Sequence, residues 1–199
     1  MASTKNDYYV MVNNRRLRCG HTTGTCAAAA SKAAAEALLT GKDVESVSIA
    51  TPKGIVLNLP VEDMSRIGTA VRCAVRKDGG DDIDATNGIL VYAEVTKTEH
   101  GIEIGGGEGV GTVTRKGLDQ PVGNAAINRV PRQMISEALS DVSFATGYSG
   151  GLRTVISVPE GINLANKTFN PRLGITGGIS ILGTSGIVEP MSETALIDT

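Results

Sequence analysis

Several stretches of this 199-residue chain combine residue types that do chemistry. Gly20-His21-Thr22-Thr23-Gly24-Thr25-Cys26 sets hydroxyls and a glycine-relaxed turn at a helix start, where the first N–H groups point outward and suit an anion. The glycine spacing and lysine of a P-loop are missing there, and ordinary capping is the plainer alternative. Cys26, in the first turn, is placed for a lowered thiol pKa. As a nucleophile it would have only His21 and His100 to serve as an imidazole base, so a structural cysteine is the expected reading.

Asp78, Asp81, Asp82 and Asp84 put four carboxylates within seven residues, which suits a divalent cation or a general base. The EF-hand pattern fails, because Thr86 and Asn87 break its spacing, and a solvated, metal-free loop is expected. Gly105-Gly106-Gly107-Glu108-Gly109-Val110-Gly111-Thr112 gives no G-x-G-x-x-G in any register. A turn over a flat or bulky ligand and a plain bulged hairpin both fit it. Densest in small residues is Gly174 to Pro190, which includes Thr176, Gly177, Gly178 and Thr184. There a short apolar run is bracketed by residues that leave amides and hydroxyls at its ends, either for a ligand or simply to turn the chain. Basic residues fall in small groups: Arg15, Arg16 and Arg18; Arg72, Arg76 and Lys77; Arg115 and Lys116; Arg129 and Arg132. Each alone reads as a solvated face, whereas in one cleft they would suit a polycarboxylate.

The elements that must position these groups read as α+β. Cys26 to Leu39 is an alanine-rich helix with a threonine cap and Gly41 as its stop. Val44–Ala50 and Ile55–Leu59, split by Thr51-Pro52-Lys53-Gly54, form a hairpin. Thr69–Val75, Ile89–Val95, Leu152–Val158 and Ile179–Leu182 are strands, the first two half-buried by their alternation. Pro131 opens a second helix to about Leu139, with Met134, Ile135, Ala138 and Leu139 on one side. Two full helices that do not alternate with the strands argue against a doubly wound sheet. Residues 1–16 read as a polar leader and 17–190 as the domain. Met191, Ser192 and Leu196 form a hydrophobic staple, so 191–199 reads as the start of a helix in a truncated chain or a domain cut from a longer one.

Composition removes other classes. Gly is 25 residues, roughly double the usual ~7%, and there is no Trp, with 4 Tyr and 2 Phe. So few aromatics, a net charge of −2 and a pI near 5.7 leave neither a base-stacking platform nor a basic footprint for nucleic acid or anionic membrane. No run of 18 apolar residues is present and the N-terminus has no signal-type apolar stretch. Cys19, Cys26 and Cys73 form no even framework, and a reduced cytoplasmic protein is expected.

Taken together, these segments resemble the CbiD family. Leu17 to Ala30 is similar to its N-terminal signature, Lys77 to Gly88 to its acidic loop, and Gly174 to Met191 to its longest glycine motif. Gly107 to Thr114 and Pro121 to Asn128 match further segments in family order, while Arg129 departs from the proline that relatives commonly carry there. The resemblance implies S-adenosylmethionine-dependent methylation of C1 of cobalt-precorrin-5B to cobalt-precorrin-6A, in anaerobic cobalamin biosynthesis. It also implies a ribosomal-S5-domain-2-like core, a following α/β domain largely missing here, and cobalt carried by the substrate with no protein-bound metal. A homo-oligomer is compatible with it. On this reading Arg18, His21, Thr22, Thr23, Thr25 and Arg132 suit the substrate's acid arms. Gly107, Gly109, Thr176, Gly177, Gly178 and Thr184 suit the methyl donor, and Asp82 is the candidate base. A GHMP-like nucleotide-binding phosphotransferase and a tetrapyrrole-binding piece without catalysis are the alternatives.

Overall fold

A computed structural model describes residues 8–168 and 170–190. The described residues open with β1 (Tyr9–Val12) and β2 (Arg15–Arg18), an antiparallel hairpin that crosses the boundary drawn between leader and domain after residue 16. Asn13 and Asn14 take φ of 49° and 60°, the left-handed pair that a two-residue hairpin turn requires. After β3 (Gly20–His21) comes α1 (Thr23–Thr40), which stops at Gly41 as expected but starts three residues before Cys26, with Thr22 as its cap. The hairpin of β4 (Ser46–Ala50) and β5 (Val56–Pro60) follows, as expected.

The remaining strands build the sheet and its margins. These are β6 (Glu62–Ile67), β7 (Ala70–Arg76), β8 (Leu90–Thr98), β9 (Ile102–Gly106), β10 (Gly109–Val110) and β11 (Thr112–Val113). Then come α2 (Arg129–Thr146), β12 (Gly151–Ser157), α3 (Gly161–Ala165), α4 (Asn170–Leu173), β13 (Ile175–Thr176), β14 (Gly178–Ile179) and β15 (Ile187–Val188). The five-stranded sheet runs β6-β7-β8-β12-β9, antiparallel except for the parallel β12–β9 pair, whose strands are joined through α2.

Both long helices lie on one face of this sheet. Val71, Cys73 and Val75 of β7, and Val91, Ala93 and Val95 of β8, alternate toward that face and are fully buried. Cys73 Sγ donates to Ala30 O at 3.3 Å, and the Ser31 and Thr154 hydroxyls meet at 3.0 Å between α1 and β12. Eight alanines of α1 are wholly buried (Ala27, Ala28, Ala29, Ala30, Ala33, Ala34, Ala35 and Ala37), so the helix serves as a thin slab between sheet and α2.

Three expectations need correction. The second helix starts earlier and ends later than Pro131–Leu139, with Asn128 as cap and Gly147 (φ 68°) as stop. Pro131 is thus its third residue, still within the turn whose amides have no intrahelical partner. The Ile179–Leu182 strand ends at Ile179, because Ile181 N–H donates to Ala126 O at 2.8 Å and Leu182 O turns toward α1. β6 and β9 escape the pattern reading: β6 is a bulged, charged edge strand, and β9 runs straight into glycines. Among the described residues no helix is long and apolar enough to cross a membrane. The staple at Met191, Ser192 and Leu196 lies outside the described residues.

Candidate functional site

Two clefts adjoin one buried lysine. The first, about 450 Å³, lies among Arg18, His21, Leu57, Glu62, Asp78 and Asn87. The second, about 310 Å³, is walled by Ile179, Leu182, Leu173 and Val188, with Thr22 and Thr23 at one side. Lys77, where β7 gives way to the acidic loop, lines both. Its side chain is 2% exposed, and Nζ pairs with Asp84 Oδ2 at 2.5 Å. The other oxygen of Asp84 accepts the Thr86 N–H at 2.7 Å and the Thr86 hydroxyl at 2.6 Å. Burial pushes the Asp84 carboxyl up, but the Lys77 and Thr86 donors outweigh it and hold the group below the usual range.

The first cleft has its own pair. Arg18 donates to both oxygens of Asp78, at 2.5 and 2.8 Å, and this keeps Asp78 below its ordinary value. Arg76 is likewise forked onto Glu62, at 3.1 and 2.7 Å. His21 Nε2 lies 3.1 Å from Arg76 O and 3.4 Å from the Asp78 N–H, and burial lowers its pKa, so the ring is neutral near pH 7. Asp81 accepts the Arg18 N–H at 2.7 Å. Asp82 is half-buried in the same loop and lines neither cleft.

The start of α1 is wrapped by the segment 182–186. Gly24 N–H donates to Leu182 O at 3.0 Å, and Thr25 N–H to Thr22 Oγ1 at 3.2 Å. The Thr25 hydroxyl donates to Gly186 O at 2.7 Å, while Thr23 Oγ1 both accepts from and donates to the Leu182 backbone. The expected outward amides are therefore taken by protein acceptors at Gly24 and Thr25, and capping is what these threonines do. Thr22 and Thr23 nonetheless stand on the wall of the second cleft. Cys26 is the structural cysteine of its two readings: it is fully buried, and burial pushes its thiol up to about 12, away from the lowering that a helix start would give.

The glycine-rich candidates separate from these clefts. Gly109, at φ 72°, packs its backbone against Gly178 and Gly161, and a Cβ on either partner would enter the Gly109 carbonyl. Gly107 lies where a Cβ would stand 2.5 Å from Ser157 Oγ. Thr176 and Gly177 are exposed at the β13–β14 turn, and Thr184 is exposed on shallower hollows beside Lys53 and Glu189. Arg132 shares a third cleft, about 420 Å³, with Gly107. So Arg18 and His21 border the first cleft and Thr22 and Thr23 the second, while Thr25, Arg132, Thr184 and the glycines Gly107, Gly109, Gly177 and Gly178 line neither. Lys77 and Asp84, the charged pair at the centre, were visible only as members of a basic group and an acidic run. The signal was a lysine just past a strand with alternating buried apolar residues, seven residues before an aspartate. No cluster of three side chains suited to a metal ion occurs among the described residues.

Comparisons place the chain. The CbiD family profile matches residues 10–190. The chain is 57% identical over 191 residues to the cobalt-precorrin-5B C(1)-methyltransferase of Ruminiclostridium cellulolyticum, covering 96% of this chain and 50% of that one. Enzymes of the same name from Alkaliphilus metalliredigens and Clostridium perfringens are 55% and 51% identical, over 96% of this chain and 50% and 51% of theirs. The crystal structure of a cobalamin biosynthesis protein (cbiD) from Archaeoglobus fulgidus superposes with a TM-score of 0.71 at 39% identity, over 96% of this chain and 61% of that one. The chain thus spans about half the length of the curated relatives it matches. With the profile running through both clefts and the sheet behind them, the chain belongs to the CbiD family.

Proposed function

We propose that this chain takes part in the S-adenosylmethionine-dependent methylation of C1 of cobalt-precorrin-5B, giving cobalt-precorrin-6A. The observation that carries the proposal is the 51–57% identity, over 96% of the chain, to three enzymes of that name. The cytoplasm is its proposed location, the ribosomal-S5-domain-2-like core and a following α/β domain its proposed architecture, and a homo-oligomer is compatible with both. Cobalt enters as part of the substrate.

The methyl donor would supply an electrophilic methyl on a sulfonium. The second cleft fits the apolar part of such a molecule: 310 Å³ lies at the low end of ligand pockets, with aliphatic walls and hydroxyls at one side. Its charged floor is balanced, since Lys77 and Asp84 neutralise each other beneath it. Thr22 and Thr23, held by the Leu182–Gly186 segment, fix that wall, and aligning acceptor carbon and methyl is the main demand of such a transfer. In the first cleft Arg18 and His21 border the acceptor's side, but the Arg18 fork is already committed to Asp78. Asp82, half-buried in the same acidic loop, is the proposed base, a role motivated by that loop's run of carboxylates. Gly109 and Gly178 are buried against each other, and the accessible Gly107, Thr176, Gly177 and Thr184 lie outside the second cleft, so they are donor contacts only for a ligand that extends beyond it.

Calorimetry with S-adenosylmethionine, ATP and a corrinoid carboxylate tests the proposal. Binding of the methyl donor or of the corrinoid supports it. ATP binding alone would favour the phosphotransferase, against which the occupied amides of Gly24 and Thr25 already count. Corrinoid binding without the donor assigns the donor site to sequence beyond this chain. Full turnover by Asp82→Asn in a full-length relative removes Asp82 as base.

A further inference from the structure

The buried and half-buried cations of this fold divide into those paired with a carboxylate and those that are not. Arg18 and Lys77 each face a carboxylate, Asp78 and Asp84. Arg132, half-buried on α2, faces none: no ion pair among the described residues includes it. Its Nε donates to Ile127 O at 2.9 Å and one Nη1 N–H donates to Ile104 O at 3.1 Å. A guanidinium carries five N–H donors, so the two carbonyls hold the side chain in place and leave the rest of the fork unengaged. Burial disfavours its charged form, with only a distant pull from Asp119 to offset this.

That fork lines the third cleft, whose other walls include the backbone of Gly105, Gly106 and Gly107 together with Thr112 and Asn124. The Asn124 side chain forms no hydrogen bond among the described residues and is exposed. No other residue lining the cleft is charged, so its charge matches a single negative one. We infer that this cleft is a carboxylate-binding subsite, with Arg132 as its forked anchor and the Asn124 amide as a second donor. The geometry is preorganised: the side chain is already fixed by two backbone acceptors, so little rotamer freedom is lost when an anion arrives. Glycine backbone along one wall lets a bulky ligand approach while one acid group enters the cleft.

The carboxylate has two sources under the methyltransferase reading, on which this identification of the ligand rests: an acid arm of the tetrapyrrole, or the α-carboxylate of the methyl donor. Three probes separate them on the intact chain. Tricarballylate reports the anion chemistry alone, uroporphyrin an acid-bearing tetrapyrrole, and S-adenosylhomocysteine the donor. The Arg132 Nε–H and Asn124 side-chain amide signals are followed by NMR, and affinities by fluorescence quenching and calorimetry.

Asn124→Asp is the informative variant. It is nearly isosteric and places a carboxylate in the cleft, so it should satisfy Arg132 internally and weaken the probe roughly tenfold or more. Its melting temperature should stay level or rise, which a general loss of structure would not give. Arg132→Gln should weaken binding likewise, and Arg132→Lys should not restore the fork. Whichever larger probe loses affinity in Asn124→Asp identifies the source. Tricarballylate shifting the Arg132 signal while neither larger probe binds keeps the subsite and fails the methyltransferase reading. If uroporphyrin or S-adenosylhomocysteine binds and neither loses affinity in Asn124→Asp, the subsite is overturned and that reading stays in place. No response of the Arg132 signal to any probe also overturns it.

Discussion

Removing the carboxylate from under Lys77 is the sharpest test of the site's construction. Asp84→Asn keeps an oxygen for the Thr86 donors but turns an amide toward an ammonium whose side chain is 2% exposed. Breaking a buried pair from one side costs ~3–5 kcal/mol, because the remaining charge is stranded. Asp84 is itself 23% exposed, so water reaches the vacated position and the expected loss lies at the lower end, about 3 kcal/mol. At a urea slope of ~2 kcal/mol per molar, the unfolding midpoint should fall by about 1.5 M. Lys77→Met alone should be milder, about 1–2 kcal/mol, since Asp84 keeps its Thr86 donors and part of its water. The double variant should be more stable than Asp84→Asn by ~1–2 kcal/mol, because the stranded ammonium is gone. Urea unfolding of all four proteins closes the cycle. A loss under ~1 kcal/mol for Asp84→Asn, or a double variant no better than it, refutes the picture of a desolvated charge.

Three further outcomes follow from the same structure. Burial holds His21 below its ordinary value of 6.5, so the unfolded chain binds that proton first and the stabilisation it gives, intact above pH 6.5, is lost as pH falls toward the folded-state value. Urea midpoints should drop from pH 7 downward in wild type and less in His21→Gln, with a second drop below about 3.8 as Asp78 and Asp84, both held low, are protonated. Cys26 and Cys73, each pushed up to about 12 by burial, should resist iodoacetamide at pH 8 in the native state and react once urea unfolds the chain. Gly178→Ala should lower stability by about 3 kcal/mol or more, because its Cβ meets the Gly109 backbone, whereas Gly177→Ala, left-handed but with open space, should cost about 1 kcal/mol; equal melting temperatures would contradict that contrast.

The parts of the fold that the sequence made legible are those where local signals and packing agree. α1 carries its own cap and stop, Thr22 and Gly41, around a body with no competing pattern. β7 and β8 alternate because one face meets the helices. β6 gave no such signal: its side chains are charged, it sits at the sheet edge, and a bulge breaks its period. The site was half visible. His21, Thr22 and Thr23 were named from an anion-binding helix start and Arg18 from a basic group, and they do border the clefts, but the amides of the helix start serve Leu182 and Thr22. Glycines misled most. A run of them looks the same whether the missing side chain makes way for a ligand or for Gly109's own carbonyl. Only the tertiary pairing of β10 with β14 decides that, and nothing local encodes it.

The alanine slab of α1 has a mechanical consequence. A methyl group has no rotamers, so the most deeply buried helix loses almost no side-chain entropy on folding and has no alternative packing to switch into. It can move only as a rigid rod, and the sheet and α2 prevent that from both sides. The opposite wall is built in another way, from turns: Gly174, Gly177, Gly183 and Gly186 all take positive φ around Ile179 and Leu182. The cleft therefore lies between a rod that cannot repack and a chain whose path depends on glycine at four positions.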